Sequence, residues 1–158
     1  METSQTDADL SYRILLSLFV PISADLSRYT DLEILKVMPS TDFSRGDVVN
    51  ANLEGAKGHE KQGTRPCLVI QNDIGNQNSP LTIVAPLSDE NQYKELPVQV
   101  KVSAKELGKG GKDSVIECGQ IRTMDSSARI EKKLTELQDD TMEQVDTALQ
   151  VSLGLKSV

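Results

Sequence analysis

The stretch GTRPCLVIQNDIGN, residues 63–76, sets Arg65 and Pro66 directly ahead of an apolar run and a cluster of amides directly behind it. The run Cys-Leu-Val-Ile at 67–70 is too short for a helix and rich in branched aliphatics, so it reads as a buried strand. Pro66 fixes its own φ and holds Arg65 in extended backbone. The strand thus begins at an aimed guanidinium and ends on Gln71, Asn72, Asp73 and Asn76.

Outward from this strand the same pattern recurs. Residues 47–53, 67–72, 81–87, 97–102, 114–123 and 129–137 read as strands, separated by Gly-, Asn-, Asp- and Pro-rich loops such as EGAKGHEKQG, DIGNQNSP and ELGKGGKD. Short strands at this spacing predict a small, strongly curved antiparallel sheet or barrel. Asp140, with Glu143 three residues on, predicts the start of a C-terminal helix. Its Met142, Val145, Leu149 and Ser152 share one face, and Gly154 is its stop. The fold class is therefore mainly β with a C-terminal helix. Residues 1–42 differ: Leu10, Ile14, Leu18, Leu32, Leu35 and Val37 are loosely helical in spacing, Thr30 and Glu33 form a capping box, and Pro39 closes the segment. The expected division is an extension at 1–42, helical or disordered, and a β domain at 43–158.

Composition sets limits on function. A chain of 158 residues has room for one domain with a real core and an appendage. With 3% aromatics and no Trp, that core must be built from Val, Ile and Leu. The net charge of -7 argues against gripping nucleic acid by electrostatics alone. Residues 43–125, however, hold ten basic against eleven acidic groups, which leaves scope for a local basic groove. Cys67 and Cys118 have neither a CxxC spacing nor a neighbouring His, so they read as two reduced thiols in strands, with no metal and no cofactor expected. ILLSLFVPI at 14–22 is too short to cross a bilayer, and Glu2, Asp7 and Asp9 against Arg13 are the wrong sign for a secretory signal. The expected location is the cytoplasm, with no membrane partner.

Several motifs fail on inspection. GKGGKDS at 108–114 lacks the Ser or Thr after Lys112 that a phosphate loop needs, and it lies between strands where that loop would open a helix; it reads as a hairpin loop. RGD at 45–47 leads into a strand, and Asp89 and Glu90 have no partner that would make a glycosidase pair, so both read as solvated surface. His59 is the only histidine, which excludes mechanisms needing two imidazoles in one chain.

RGDVV (45–49), GHEKQGTRPCLVIQNDIGN (58–76), SP (79–80), IVAPLS (83–88), LPVQV (96–100), DSVIECGQIRTMD (113–125) and MEQVDTALQVSLGL (142–155) together resemble the MazF/PemK family of toxin endoribonucleases. The resemblance runs from Arg45 to Leu155. It implies an SH3-like barrel, usually a homodimer, that cuts single-stranded mRNA at short sequences without a metal and is neutralised by an antitoxin. The family's essential arginine corresponds to Arg65, and its hydroxyl partner, usually threonine, falls on Ser88. Ser88 keeps the hydroxyl but lacks the methyl that fixes a threonine rotamer. Members ordinarily lack residues 1–42, and Met38 lies about where they begin. The extension is either an added regulatory piece or the product of a misassigned start.

These residues suit the chemistry implied. RNA carries its own nucleophile, the 2′-hydroxyl, so a cleaving enzyme supplies orientation, charge stabilisation and proton traffic. The expected products are a 2′,3′-cyclic phosphate and a 5′-hydroxyl. A planar guanidinium meets two phosphoryl oxygens at once, which suits Arg65 to the transition state better than to proton transfer. Ser88 is the candidate donor, and Glu60 or His59 the candidate base. Gln71, Asn72, Asn76 and Asn78, with Gln120, offer amides to unstacked bases, with His59 beside them on the RNA path. Against these stand plainer readings: Arg65 as a surface arginine, and Asn72 and Asn76 as turn caps. Two other functions also fit the fold, a gyrase-inhibiting toxin and a cleavage-dead interaction module in which Ser88 and the ECG at 117–119 mark decay.

Overall fold

The computed structural model describes residues 43–157. The helical spacing and capping box expected within residues 1–42 lie outside the described residues. Among those described, seven strands form one strongly bent antiparallel sheet in the order β4-β5-β3-β2-β1-β7, with β6 also on β3. The strands are β1 (Asp47–Asn52), β2 (Thr64–Val69), β3 (Leu81–Asp89), β4 (Gln99–Val102), β5 (Ser114–Glu117), β6 (Arg122–Asp125) and β7 (Ile130–Glu136). Three helices accompany them: α1 (Asp73–Asn78), α2 (Ser126–Arg129) and α3 (Asp139–Ser152).

The apolar runs are continuous because both faces of the central strands are covered. On one face Val48, Leu68, Ala85, Leu87, Val100, Val102 and Ile116 pack with Met142, Val145 and Ala148 of α3. On the other, Val49, Ala51, Leu53, Cys67, Val69, Val84 and Met124 form a second cluster. Successive residues of β1 and β2 alternate between the two, as the period of a strand requires.

β3 organises the sheet. One edge pairs with β2 through Cys67↔Pro86, Leu68↔Ala85 and Val69↔Val84. The other edge takes β6 through Val84↔Arg122 and then β5 through Leu87↔Ile116 and Ser88↔Val115. The single strand expected at 114–123 is thus broken, because a 3-10 turn at Cys118–Gln120 separates β5 from β6. The strand expected at 67–72 stops at Val69 and starts earlier, at Thr64.

DIGNQNSP, expected as a loop, contains α1. Asn72 caps it by accepting from the Gly75 amide at 2.8 Å, and buried Asn76 accepts from Thr82 Oγ1 at 2.8 Å. RGD is likewise structural. The Arg45 amide donates to Asp73 at 2.7 Å and its guanidinium meets Asp146 of α3. The expectation of a solvated surface fails for Asp47, which is 1% exposed, because Lys133 Nζ lies 2.7 Å away and the Ser44 amide donates to it at 2.8 Å.

Helix α3 starts one residue before the expected Asp140 and has no cap from its own side chains. Glu106, in the β4–β5 loop, caps it instead: its carboxylate accepts from the Gln138 amide at 2.8 Å and from Thr141 Oγ1 at 3.0 Å. At the far end Gly154, at φ 71°, closes a Schellman motif in which Leu155 N donates to Gln150 O and Gly154 N to Val151 O.

Candidate active site

Of the predicted catalytic residues, Ser88 lines one cavity and Glu60 another. The first, of about 460 Å³, is lined by Val48, Leu87, Ser88, Lys109, Lys112 and Leu134 among others. The second, of about 610 Å³, is lined by His59, Glu60, Lys61, Gln120 and Arg122, with Pro86 at its base. Arg65 lines neither. It stands on β2 opposite Ala51, two residues beyond the Cys67↔Pro86 pair, and its neighbour Pro66 lines the first cavity. The β2–β3 register points Arg65 toward the level of Ser88, but β3 leaves β2 at Pro86 to pair with β5.

Arg65 is held at its root and open at its tip. Its Nε donates to the Gln62 carbonyl at 2.8 Å, while its two terminal nitrogens have no acceptor among the described residues. This is the arrangement that leaves a guanidinium fork for an anionic oxygen pair. Ser88 is the complementary group. It is 8% exposed, and its hydroxyl is buried without a hydrogen-bond partner among the described residues. A buried hydroxyl left unmet is a cost that folds rarely carry without use.

The β1–β2 loop is strapped over the second cavity. The Lys61 amide donates to Gln120 Oε1 at 3.1 Å, Lys61 Nζ lies 3.3 Å from Glu117, and Arg122 donates to the Leu53 carbonyl at 2.9 Å. Gln99 donates to the other Glu117 oxygen at 3.0 Å. Within the loop Glu60 accepts from the Lys57 amide at 3.0 Å. The ECG segment, weighed as a mark of decay, thus supplies the carboxylate that holds the loop down. Lys61 and Arg122, which line the second cavity, and Glu117, which holds Lys61, are not legible in the sequence because their partners are far apart in the chain.

The amides divide. Gln120 lies in the second cavity. The turn-building reading describes the rest: Gln71 donates to the Leu81 carbonyl at 2.8 Å, Asn76 to Gln71 O at 3.1 Å and Asn78 to Ile74 O at 2.8 Å, while Asn72 caps α1. The base-reading expectation is corrected most clearly for Asn76, which is buried and whose amide belongs to the interior. Both thiols are free and buried. Burial pushes the Cys67 and Cys118 pKa values up to about 12, so neither is a nucleophile at neutral pH. No group of His, Cys, Asp and Glu able to hold a metal ion occurs among the described residues.

The profile of the PemK-like, MazF-like toxins of type II toxin-antitoxin systems matches residues 44–153. The chain belongs to the PemK/MazF toxin family. Among its relatives is Endoribonuclease EndoA of Bacillus subtilis (strain 168), 50% identical over 111 residues that span 70% of this chain and 94% of EndoA. MazF (Form-I) from Deinococcus radiodurans is 28% identical, with a TM-score of 0.61 over 71% of this chain and 96% of that one. MazE-MazF (Form-II) from the same organism gives 29% identity and a TM-score of 0.57 over 72% and 97%. The bent sheet with its C-terminal helix is therefore the PemK/MazF fold.

Proposed function

We infer that this protein is an endoribonuclease toxin that cleaves single-stranded mRNA in the cytoplasm and is neutralised by a cognate antitoxin. The observation that carries this is the 50% identity to EndoA across nearly all of that enzyme. The site geometry supports it with an open guanidinium at Arg65 and an unmet hydroxyl at Ser88. In this reading the barrel domain is residues 43–158, residues 1–42 are an extension to it, and the working unit is a homodimer.

The mechanism follows from the groups present. The substrate 2′-hydroxyl attacks the adjacent phosphorus, so the protein need not provide a nucleophile. Charge growing on the phosphoryl oxygens is met by the Arg65 fork, an interaction that strengthens toward the transition state. The Ser88 hydroxyl, desolvated in advance, donates to a phosphoryl or leaving oxygen at little reorganisation cost. Glu60 or His59, from the strapped loop, takes the 2′-proton. Gln120, fixed through its Oε1 by the Lys61 amide, keeps its amide hydrogens for a base edge.

The test is incubation of the purified protein with single-stranded RNA in EDTA, with end-group analysis of the fragments. The expected result is cleavage to 2′,3′-cyclic phosphate and 5′-hydroxyl ends that Arg65→Ala lowers by about 100-fold or more. Intact RNA, or cleavage unaffected by that substitution, overturns the reading.

A further inference from the structure

The segment Lys109-Gly110-Gly111-Lys112 is no phosphate loop by sequence, yet all four residues line the cavity that Ser88 lines. Lys61, Lys101 and Lys133 each meet a carboxylate within 4 Å. Lys109 and Lys112 meet none among the described residues, and neither do Lys57, Lys94, Lys105, Lys132 and Lys156; what sets Lys109 and Lys112 apart is that both line the cavity that Ser88 lines. Two unpaired ammonium groups and a buried, unpartnered hydroxyl thus share one cavity.

The loop is built to hold that position. Upstream, Glu106 fastens it to the start of α3. Downstream, Asp113 accepts from the Ala104 amide at 2.7 Å and Ser114 Oγ donates to the Lys112 carbonyl at 2.7 Å. Its turn leaves no room for a side chain at Gly111, where a Cβ would lie 2.6 Å from Leu107 Cβ and 2.9 Å from the Ala104 carbonyl oxygen. A loop anchored at both ends and tightened in the middle carries its lysines on a firm base. The cavity is of the size that takes one nucleotide. Its apolar lining residues Val48, Leu87 and Leu134 suit a sugar or base face, and its lysines a phosphate. Asp89 is the one carboxylate in its wall, and it is engaged with the Asn91 amide at 3.1 Å.

We propose that Lys109 and Lys112 clasp the RNA backbone on the Ser88 side of the scissile phosphate, each neutralising one phosphate. The proposal rests on the reading of the site as RNA-cleaving. It adds two binding residues that act on substrate affinity and leave the chemical step to Arg65 and Ser88.

The test compares the full-length protein with its Lys109→Gln/Lys112→Gln and Lys109→Arg/Lys112→Arg variants. Binding of a 2′-O-methylated single-stranded RNA, which cannot be cleaved, is followed by fluorescence anisotropy across a salt series. Cleavage of the matching unmodified RNA is measured in parallel. Losing two phosphate contacts should lower the slope of log K against log salt by about 1.4 and weaken binding about tenfold near 0.15 M salt. In cleavage the Gln pair should raise KM with kcat nearly unchanged, and the Arg pair should restore both quantities. An unchanged slope with wild-type cleavage intact overturns the clasp alone. A lower slope in a protein that cleaves no RNA sinks the endonuclease reading and keeps only the contact of the two lysines with the RNA backbone. Failure of the wild type to bind overturns both. A third arm adds polyglutamate to the cleavage assay: if it inhibits the wild type and the Gln pair escapes that inhibition with RNA binding unchanged, the lysines receive an acidic protein partner and the RNA clasp is wrong.

Discussion

Lys61 and Glu117 are 56 positions apart in the chain, yet their charged groups lie 3.3 Å apart at the rim of the barrel, with Glu117 the more buried of the two. Removing the cation alone leaves a desolvated carboxylate with only the neutral Gln99 amide as side-chain donor, which is costlier than removing both charges. Lys61→Met should therefore lower stability by about 3 kcal/mol, and Lys61→Met/Glu117→Gln should recover most of that loss. Urea unfolding of the two variants decides it. A double variant as unstable as the single one would mean that the pair is not coupled.

With Ser88 as the proposed donor, stability and chemistry should respond oppositely to its loss. Its unpartnered hydroxyl contributes nothing to the resting fold, so Ser88→Ala should leave the urea midpoint unchanged or raise stability by about 1 kcal/mol. Cleavage by the same variant should fall by at least about tenfold. Parallel unfolding and single-turnover cleavage measurements check both halves.

Asp125 accepts from the Ala128 amide at 2.9 Å and from Ser127 Oγ at 2.8 Å. The Ala128 amide bond, the larger effect, and the Ser127 hydroxyl together hold its pKa below the ordinary 3.8. Because the folded value is the lower one, its stabilisation is present above pH 3.8 and is lost as pH falls through the folded pKa. The difference in urea midpoint between the protein and Asp125→Ala should be full at pH 6 and shrink toward pH 2. A difference that stays constant across that range would show that the carboxylate charge has no part in the cap.

The two buried thiols, raised to about 12, should be silent toward a thiol-reactive chromogen at pH 8 in the folded protein. In denaturant both should react. Fast labelling of native protein would place Cys67 or Cys118 at the surface.

The legible parts of this fold are those decided by neighbours in sequence. The run at 67–70 is apolar throughout because both faces of β2 are covered, and that is visible without coordinates. The end of α3 is equally local, since Gly154 acts on the turn just before it. What was hidden depends on distant residues. α1 looked like a turn because Asn72, Asp73 and Gly75 are turn formers; it is held by Arg45 and Thr82, which no local window contains. The break at Cys118–Gln120 was invisible because nothing in ECGQ forbids a strand. In the candidate site, Arg65 and Ser88 could be named from motif resemblance. That Ser88 lines a cavity while Arg65 stands outside both follows from the departure of β3 from β2 at Pro86, and the Lys61 strap from a pairing across the barrel.

The double duty of β3 has an evolutionary consequence. Inserting or deleting one residue between Pro86 and Ser88 would exchange inside for outside along the rest of the strand, driving Ser88 into the core or Leu87 out of it. The β1–β2 and β4–β5 loops face no such parity rule. Lineages descending from this protein are thus free to change the length of those loops while the spacing that carries Ser88 stays frozen.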